Sequence, residues 1–165
     1  MRSVLNRTLA LLAFPVLASC GGGGKDCCSP TPTGDGSFTA SVTGAKSASL
    51  AGQAGFLTGA NIFSIALRDA SSAATYIQIS HLGAAVPAPG TYSIDPNGDP
   101  AKVFGVLFSG GAQENYVGTG GTLTITTVSG TSMHGDFTFT AKGGTSGSAT
   151  VSVTGHFDAT PLTAP

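Results

Sequence analysis

Two copies of a His-x-Asp pattern near the end of the chain are the residues best suited to chemistry. The first copy is His134 with Asp136, and the second is His156 with Asp158. Imidazole nitrogens and carboxylate oxygens are ligands for a zinc-like ion. The pattern predicts a metal site formed by His134, His156 and Asp136. The alternative interpretation is that both histidines are solvent-facing strand residues beside turns.

The register of the two segments decides between these interpretations. Pairing Phe137 with Val153 in a hairpin keeps apolar side chains on one face and places His134 opposite His156 on the other. Directly opposed residues have Cβ atoms about 5 Å apart, which is close enough to share an ion. A shift of two residues would separate the histidines without moving them to another face.

A second candidate is the segment Ser109–Gly121, the longest loop-like stretch of the predicted domain. It contains the only glutamate of the chain, Glu114, next to Asn115 and Tyr116. Loops on a rigid sheet often carry binding residues, and a tyrosine among polar residues suits contact with a sugar or a protein. We therefore predict a ligand-binding loop at Glu114, Asn115 and Tyr116, with a simple hairpin loop as the alternative.

Other catalytic or metal-binding patterns have little support. The segment Asp95–Asp99 resembles the start of a calcium loop but lacks the downstream glutamate, and its prolines and Asn-Gly favour a turn. The chain has no G-x-S-x-G or S-x-x-K pattern, and no cysteine lies inside the predicted domain. The sequence thus favours a non-catalytic domain that holds no cofactor.

The elements that must position these residues are β-strands, because apolar residues alternate with Thr and Ser at a period of two. Six runs show the alternation, beginning at Phe38, Phe63, Ile77, Leu123, Phe137 and Val151. Turn signals rich in Gly, Pro and Asn separate the runs. The pattern predicts an all-β fold of eight or nine strands, as an antiparallel sandwich or, alternatively, a small lipocalin-like barrel.

The N-terminus carries a secretion and lipidation signal. Arg2 and Arg7 precede a short apolar run, Leu9–Leu17, and the small residues Ala18 and Ser19 precede Cys20. This pattern is a lipobox, so we expect cleavage before Cys20 and a lipid on its sulfur. The alternative is an ordinary secretory signal in which the cysteine falls at this place by chance.

Composition divides the chain into four parts: a signal peptide (1–19), a lipidated Gly/Ser/Pro-rich linker (20–35), a β-domain (36–160) and a short tail (161–165). The linker also contains Cys27 and Cys28, whose sulfurs form a disulfide, link two molecules or stay free. A flexible chain of the linker's length averages roughly 20 Å end to end.

The charge of the mature chain argues against nucleic acid as a partner. Seven basic residues less Arg2 and Arg7 leave five against eight acidic residues, a formal net charge of -3. Nucleic-acid binding requires clusters of Lys and Arg, and the chain has none. The remaining polar surface is predicted to consist mostly of Ser, Thr, Asn and Gly.

Three segments of the C-terminal half resemble a family of small β-rich bacterial lipoproteins of unknown function. They are Leu123–Thr126, Gly135–Ala141 and Val151–Phe157. The resemblance implies a cell-envelope protein and brings no catalytic residues with it. Gly21 follows Cys20, where Asp commonly marks retention in the inner membrane, and this implies the outer membrane.

Together these observations predict a membrane-anchored envelope lipoprotein whose β-domain is binding or structural. Its expected partners are the membrane, through the lipid, and a glycan or an envelope protein. Two alternatives stay open. One is a metal-dependent enzyme that uses the face of His134 and His156, and the other is a barrel that carries a lipophilic ligand.

Overall fold

The computed structural model of the chain describes residues 36–99, 103–111 and 114–162. The predicted signal peptide (1–19), Cys20 with its linker (20–35) and the last three residues of the predicted tail lie outside the described residues.

The described ranges form nine strands and contain no helix, which confirms the predicted all-β class. Accordingly, these ranges include no helix long and apolar enough to cross a membrane. The strands are β1 (Ser37–Gly44), β2 (Ala48–Thr58), β3 (Ile62–Asp69), β4 (Thr75–Leu82), β5 (Gly90–Ile94), β6 (Gly105–Gly110), β7 (Asn115–Val128), β8 (Met133–Gly143) and β9 (Ala149–Pro161).

The sheet closes on itself, so the structure has the barrel predicted as the alternative and not the two separate sheets of a sandwich. Its strand order is β5-β7-β6-β4-β3-β2-β1-β9-β8, and β7 also pairs with β8. That pairing runs from Tyr116↔Gly143 to Val128↔Met133 and joins the two sides of the sheet. Eight strands form the closed wall, while β5 pairs with residues Gly121–Ile125 of β7 beside β6.

Apolar side chains from all nine strands fill the interior as one continuous core. An eight-stranded barrel is just wide enough for its own side chains to fill it. Burying one such side chain contributes about 1.5–3 kcal/mol relative to exposure, so packing holds the domain together. The largest fully buried aromatic side chains are Phe63, Phe104, Phe108, Phe137 and Phe157.

Size matching between β8 and β9 creates the space for two of these rings. Gly135 lies opposite Phe157, and Phe137 lies opposite Gly155. A Cβ on Gly155 would come within 2.5 Å of the tip of the Phe137 ring, and one on Gly135 within 2.8 Å of the Phe157 ring. The rings stack with centroids 6.4 Å apart, so each glycine admits the aromatic ring of the neighbouring strand.

The chain enters and leaves the barrel at the same end. The Ala54 amide donates to the Gly36 carbonyl at 3.1 Å, and the Leu162 amide donates to the Phe56 carbonyl at 2.7 Å. We call this the terminal end; it also carries the β2–β3, β4–β5 and β7–β8 connections. The opposite end, the hairpin end, carries the β1–β2, β3–β4, β6–β7 and β8–β9 turns. Strand β9 continues to Pro161, one residue into the predicted tail.

Replacing Gly155 with alanine should destabilise the domain because its Cβ would overlap the Phe137 ring and the Thr39 carbonyl, both 2.5 Å away. We expect a loss of about 1–3 kcal/mol in the free energy of unfolding, typical of overpacked cores. Urea unfolding measures it. Gly130→Ala is the matched control, since nothing lies within 4 Å of its added Cβ. Equal stability of the two variants would contradict the packing described.

Candidate functional site

The two His-x-Asp segments lie side by side on the outer face of β8 and β9. His134 pairs with Asp158, and Asp136 pairs with His156. The prediction that His134 lies opposite His156 is therefore wrong by a two-residue shift, although all four residues share one face. We call these four residues the His–Asp cluster.

Packing and charge explain why the predicted register does not occur. It would place Gly135 opposite Gly155, leaving a void inside the barrel, and would set the two histidines against each other. The observed register gives each glycine an aromatic partner and each histidine a carboxylate. Both faces of the hairpin therefore favour the same alignment.

The contacts of the His–Asp cluster form a continuous chain. Asp136 Oδ1 lies 3.1 Å from His156 Nδ1, and His156 Nε2 lies 3.4 Å from Asp158 Oδ1. Asp158 Oδ1 also contacts Nδ1 of His134. Since a neutral imidazole has one N–H, His156 can donate to both carboxylates only when it is protonated. His156 thus lies between two carboxylates, one facing each of its ring nitrogens.

The cluster is open to solvent and bordered by hydroxyl groups. Its side chains are between 42% and 61% exposed. Thr124 on β7 pairs with Asp136, and Thr39 on β1 pairs with His156. One row further along the sheet, the hydroxyls of Thr138 and Thr154 lie 2.8 Å apart. The cluster is therefore a charged spot within a hydroxyl-rich outer surface.

Within the cluster, Asp158 is the residue whose pKa is shifted by its neighbours. The hydrogen bond from His134 is the main cause that lowers the pKa of Asp158, partial burial opposes it, and the charge of His156 lowers it further. The carboxylate form of Asp158 is thus favoured in the folded protein.

The predicted metal ligands His134, His156 and Asp136 come together without forming a metal centre. Across residues 36–99, 103–111 and 114–162, no three His, Cys, Asp or Glu side chains are arranged to hold an ion. Each imidazole directs Nδ1 to the carboxylate of the residue that it pairs with on the neighbouring strand. The exposed carboxylates of the cluster can accept hydrogen bonds from a polar partner.

The predicted ligand-binding loop is mostly strand. Tyr116 is buried and stacks on Phe108 with ring centroids 5.5 Å apart, so it is a core residue. Asn115 begins β7 and is exposed. Glu114 forms an ion pair with Lys46 of the β1–β2 turn at 2.7 Å. The prediction of a ligand-binding loop is thus wrong for Tyr116, because this residue occupies an inward position of β7 while Asn115 and Val117 face outward.

The calcium-like segment is a turn, as its prolines and Asn-Gly indicate. Asp95 Oδ1 accepts a hydrogen bond from the Asn97 amide at 2.8 Å, and the Asp95 carbonyl accepts one from Gly98 at 3.4 Å. The Asp95 side chain therefore closes its own turn.

Sequence reasoning missed a cleft on the outer wall near the terminal end. It has a volume of about 220 Å³ and lies between the end of β4 and the segment that follows β5. Its lining comprises Ile62, Ser80, His81, Leu82, Asp95, Pro96, Gly98, Val103 and Gly105. The His81 ring packs against Phe104 at 4.7 Å and Phe63 at 5.7 Å. The available signal was Leu82, an apolar residue at an outward position of β4 two residues after Ser80.

Comparison with protein-family models, with curated proteins and with solved structures finds no match for the chain.

Asp158→Asn should remove an acid-sensitive contribution to stability. Because the folded state lowers the pKa of Asp158, its contribution is complete above the unfolded value of about 4 and is lost as pH falls through the folded value. We expect wild type to exceed the variant by roughly 0.2–1 kcal/mol in mildly acidic solution, as exposed ion pairs do, with the difference disappearing at lower pH.

Urea unfolding at a series of pH values measures this difference. Asp95→Asn is the control, since its carboxylate bonds to the Asn97 amide and not to an imidazole. A difference between wild type and Asp158→Asn that grows as the pH falls would contradict the assignment.

Proposed function

We propose that the protein is a lipid-anchored lipoprotein of the bacterial cell envelope, with a non-catalytic β-barrel as its exposed domain. The observation that carries the proposal is the lipobox ending at Cys20, which follows a positively charged and then apolar segment. The barrel begins at Ser37, only 16 residues beyond Cys20, with Gly36 hydrogen-bonded to β2. A single acyl chain binds membranes marginally, whereas two or three make attachment durable.

The outer membrane is the proposed location, supported by Gly21 after the cysteine and by the resemblance of the C-terminal strands to small envelope lipoproteins. Binding or structural support fits the barrel better than catalysis. The imidazoles of the His–Asp cluster are already paired with carboxylates. The alternative of a metal-dependent enzyme therefore lacks a set of metal ligands among the described residues.

The alternative function, carrying a lipophilic ligand inside the barrel, also has little support, because side chains occupy the barrel interior. Phe63, Phe108 and Phe157 are each fully buried there. We instead infer that a partner contacts the outer face around the His–Asp cluster. The exposed carboxylates of Asp136 and Asp158, bordered by threonine hydroxyls, suit the hydroxyl groups of a glycan or a polar surface of an envelope protein.

Growth of an expressing bacterium with radioactive palmitate tests the anchor. The wild-type protein should incorporate label, and Cys20→Ala should lose it, because the thiol is the acceptor of the lipid. The chain supplies its own control: the double variant Cys27→Ala, Cys28→Ala keeps Cys20 and should remain labelled. Label that persists in Cys20→Ala would refute the anchor.

Thermal unfolding with and without Zn²⁺ tests the metal-dependent alternative. We expect Zn²⁺ to leave the melting temperature unchanged, since the described residues assemble no three-ligand site. A rise with Zn²⁺ that His134→Ala abolishes would favour the enzyme over the non-catalytic domain.

A further inference from the structure

The terminal end of the barrel exposes apolar side chains that the fold does not cover. Leu82 is 50% exposed at the end of β4, and Val86 is 40% exposed in the β4–β5 connection. The Gly83 amide donates to the Asn61 carbonyl at 3.0 Å, which holds this connection against the β2–β3 turn. The two side chains therefore project from an ordered part of the barrel rim.

The outer cleft extends this apolar surface. Leu82 contributes to its lining together with Ile62, Val103 and Pro96. Asp95 is the acidic residue of the lining and is engaged in its own turn. Among the described residues, the lining of the cleft thus combines apolar side chains with the carboxylate of Asp95 and the imidazole of His81, a composition that offers little attraction to anionic molecules.

The hairpin end has a different character. Lys46 of the β1–β2 turn pairs there with Glu114 and also donates to the Gly110 carbonyl of β6. Val117, near the same end, is 49% exposed on β7, where it pairs with Leu107 of β6 and Lys142 of β8. The exposed apolar residues Leu82 and Val86, by contrast, occur together at the terminal end.

The chain outside the described residues leads to the terminal end. Gly36 lies at this end, and 15 residues, Gly21–Asp35, separate it from Cys20. From the sequence alone, a Gly/Ser/Pro-rich segment of this length is expected to average roughly 20 Å end to end. A lipid on Cys20 would therefore keep the end that carries Leu82 and Val86 close to the lipid surface.

We propose that the terminal end docks on the membrane, with Leu82 and Val86 inserted among the lipids and the hairpin end directed away. The proposal rests on the lipid anchor of the proposed function and adds the orientation of the domain and the surface that contacts lipid. Asp95 makes neutral phospholipid the better partner, because an anionic headgroup would be repelled by it. The His–Asp cluster lies near the same end but on β8 and β9, across the barrel from β4. It therefore stays free for a polar partner when the β4 side of the rim faces the lipid.

A single introduced tryptophan tests the orientation, because the chain contains no tryptophan of its own. The full lipidated chain with Leu82→Trp or Val86→Trp is reconstituted on phosphatidylcholine vesicles that carry brominated acyl chains. We expect emission that shifts to the blue and loses most of its intensity to the bromine. Val117→Trp, equally exposed but at the hairpin end, is the matched control and should show neither change.

Each outcome decides a separate point. Protein that floats with the vesicles but shows no quenching at positions 82 and 86, or equal quenching at 117, overturns the docking while the anchor stands. Protein that does not float overturns the anchor and the docking with it. A blue shift that depends on protein concentration without vesicles assigns the surface to a second copy of the chain and overturns the lipid contact.

Discussion

The pairing of β8 with β9 is the constraint on which the rest of the structure depends, because both of its faces specify one register. A shift of two residues in one direction would set glycine against glycine inside, leaving a void, and histidine against histidine outside. The opposite shift would set Phe137 against Phe157 inside and Asp136 against Asp158 outside. A shift of one residue would move every apolar side chain to the solvent. Strand β1 pairs with β9, and β7 pairs with β8. The β8–β9 register therefore also determines how these two neighbouring strands are positioned where the barrel closes. The four cross-strand pairs are Gly135–Phe157, Phe137–Gly155, His134–Asp158 and Asp136–His156.

In this arrangement, the residues that stabilise the domain lie inside the barrel, and those available to a partner lie on its outer face. The interior is committed to packing, with Phe137 and Phe157 seated over glycines, and it holds the domain without any cysteine. The outer face keeps the charged and hydroxyl groups accessible, including the carboxylate of Asp158, whose lowered pKa maintains its charge. The two ends differ as well, since one carries the Lys46–Glu114 ion pair and the other carries Leu82 and Val86. A domain with these properties suits a tether at one end and a partner at its side.

Alternation of residues such as Phe137, Thr138 and Phe139 was enough to locate six of the nine strands and to predict the class of fold, because period two follows from the pleat. It does not distinguish a sandwich from a barrel, since both bury alternate residues. That choice depends on β7, where Gly118, Gly120 and Gly121 suggested a loop. They instead accommodate a bulge and the close approach of β8, with a Cβ on Gly121 falling 2.2 Å from a backbone oxygen.

The sequence allowed us to predict which residues form the His–Asp cluster and that they share the outer face. It did not allow us to predict which of them pair across β8 and β9. Hydrophobic alternation cannot distinguish registers that differ by an even number of residues, because each of them keeps the apolar side chains inside. The positions of glycine and phenylalanine in β8 and β9 do distinguish them, since only the observed register places each ring opposite a glycine. The Lys46–Glu114 pair joins turns 68 residues apart, and no local pattern signals it.

Nuclear Overhauser contacts across β8 and β9 test the register most directly. The observed register predicts contacts from the Phe137 ring to the Gly155 α-protons and from the Phe157 ring to those of Gly135. Contacts between the α-protons of Gly135 and Gly155 would show that the register is different.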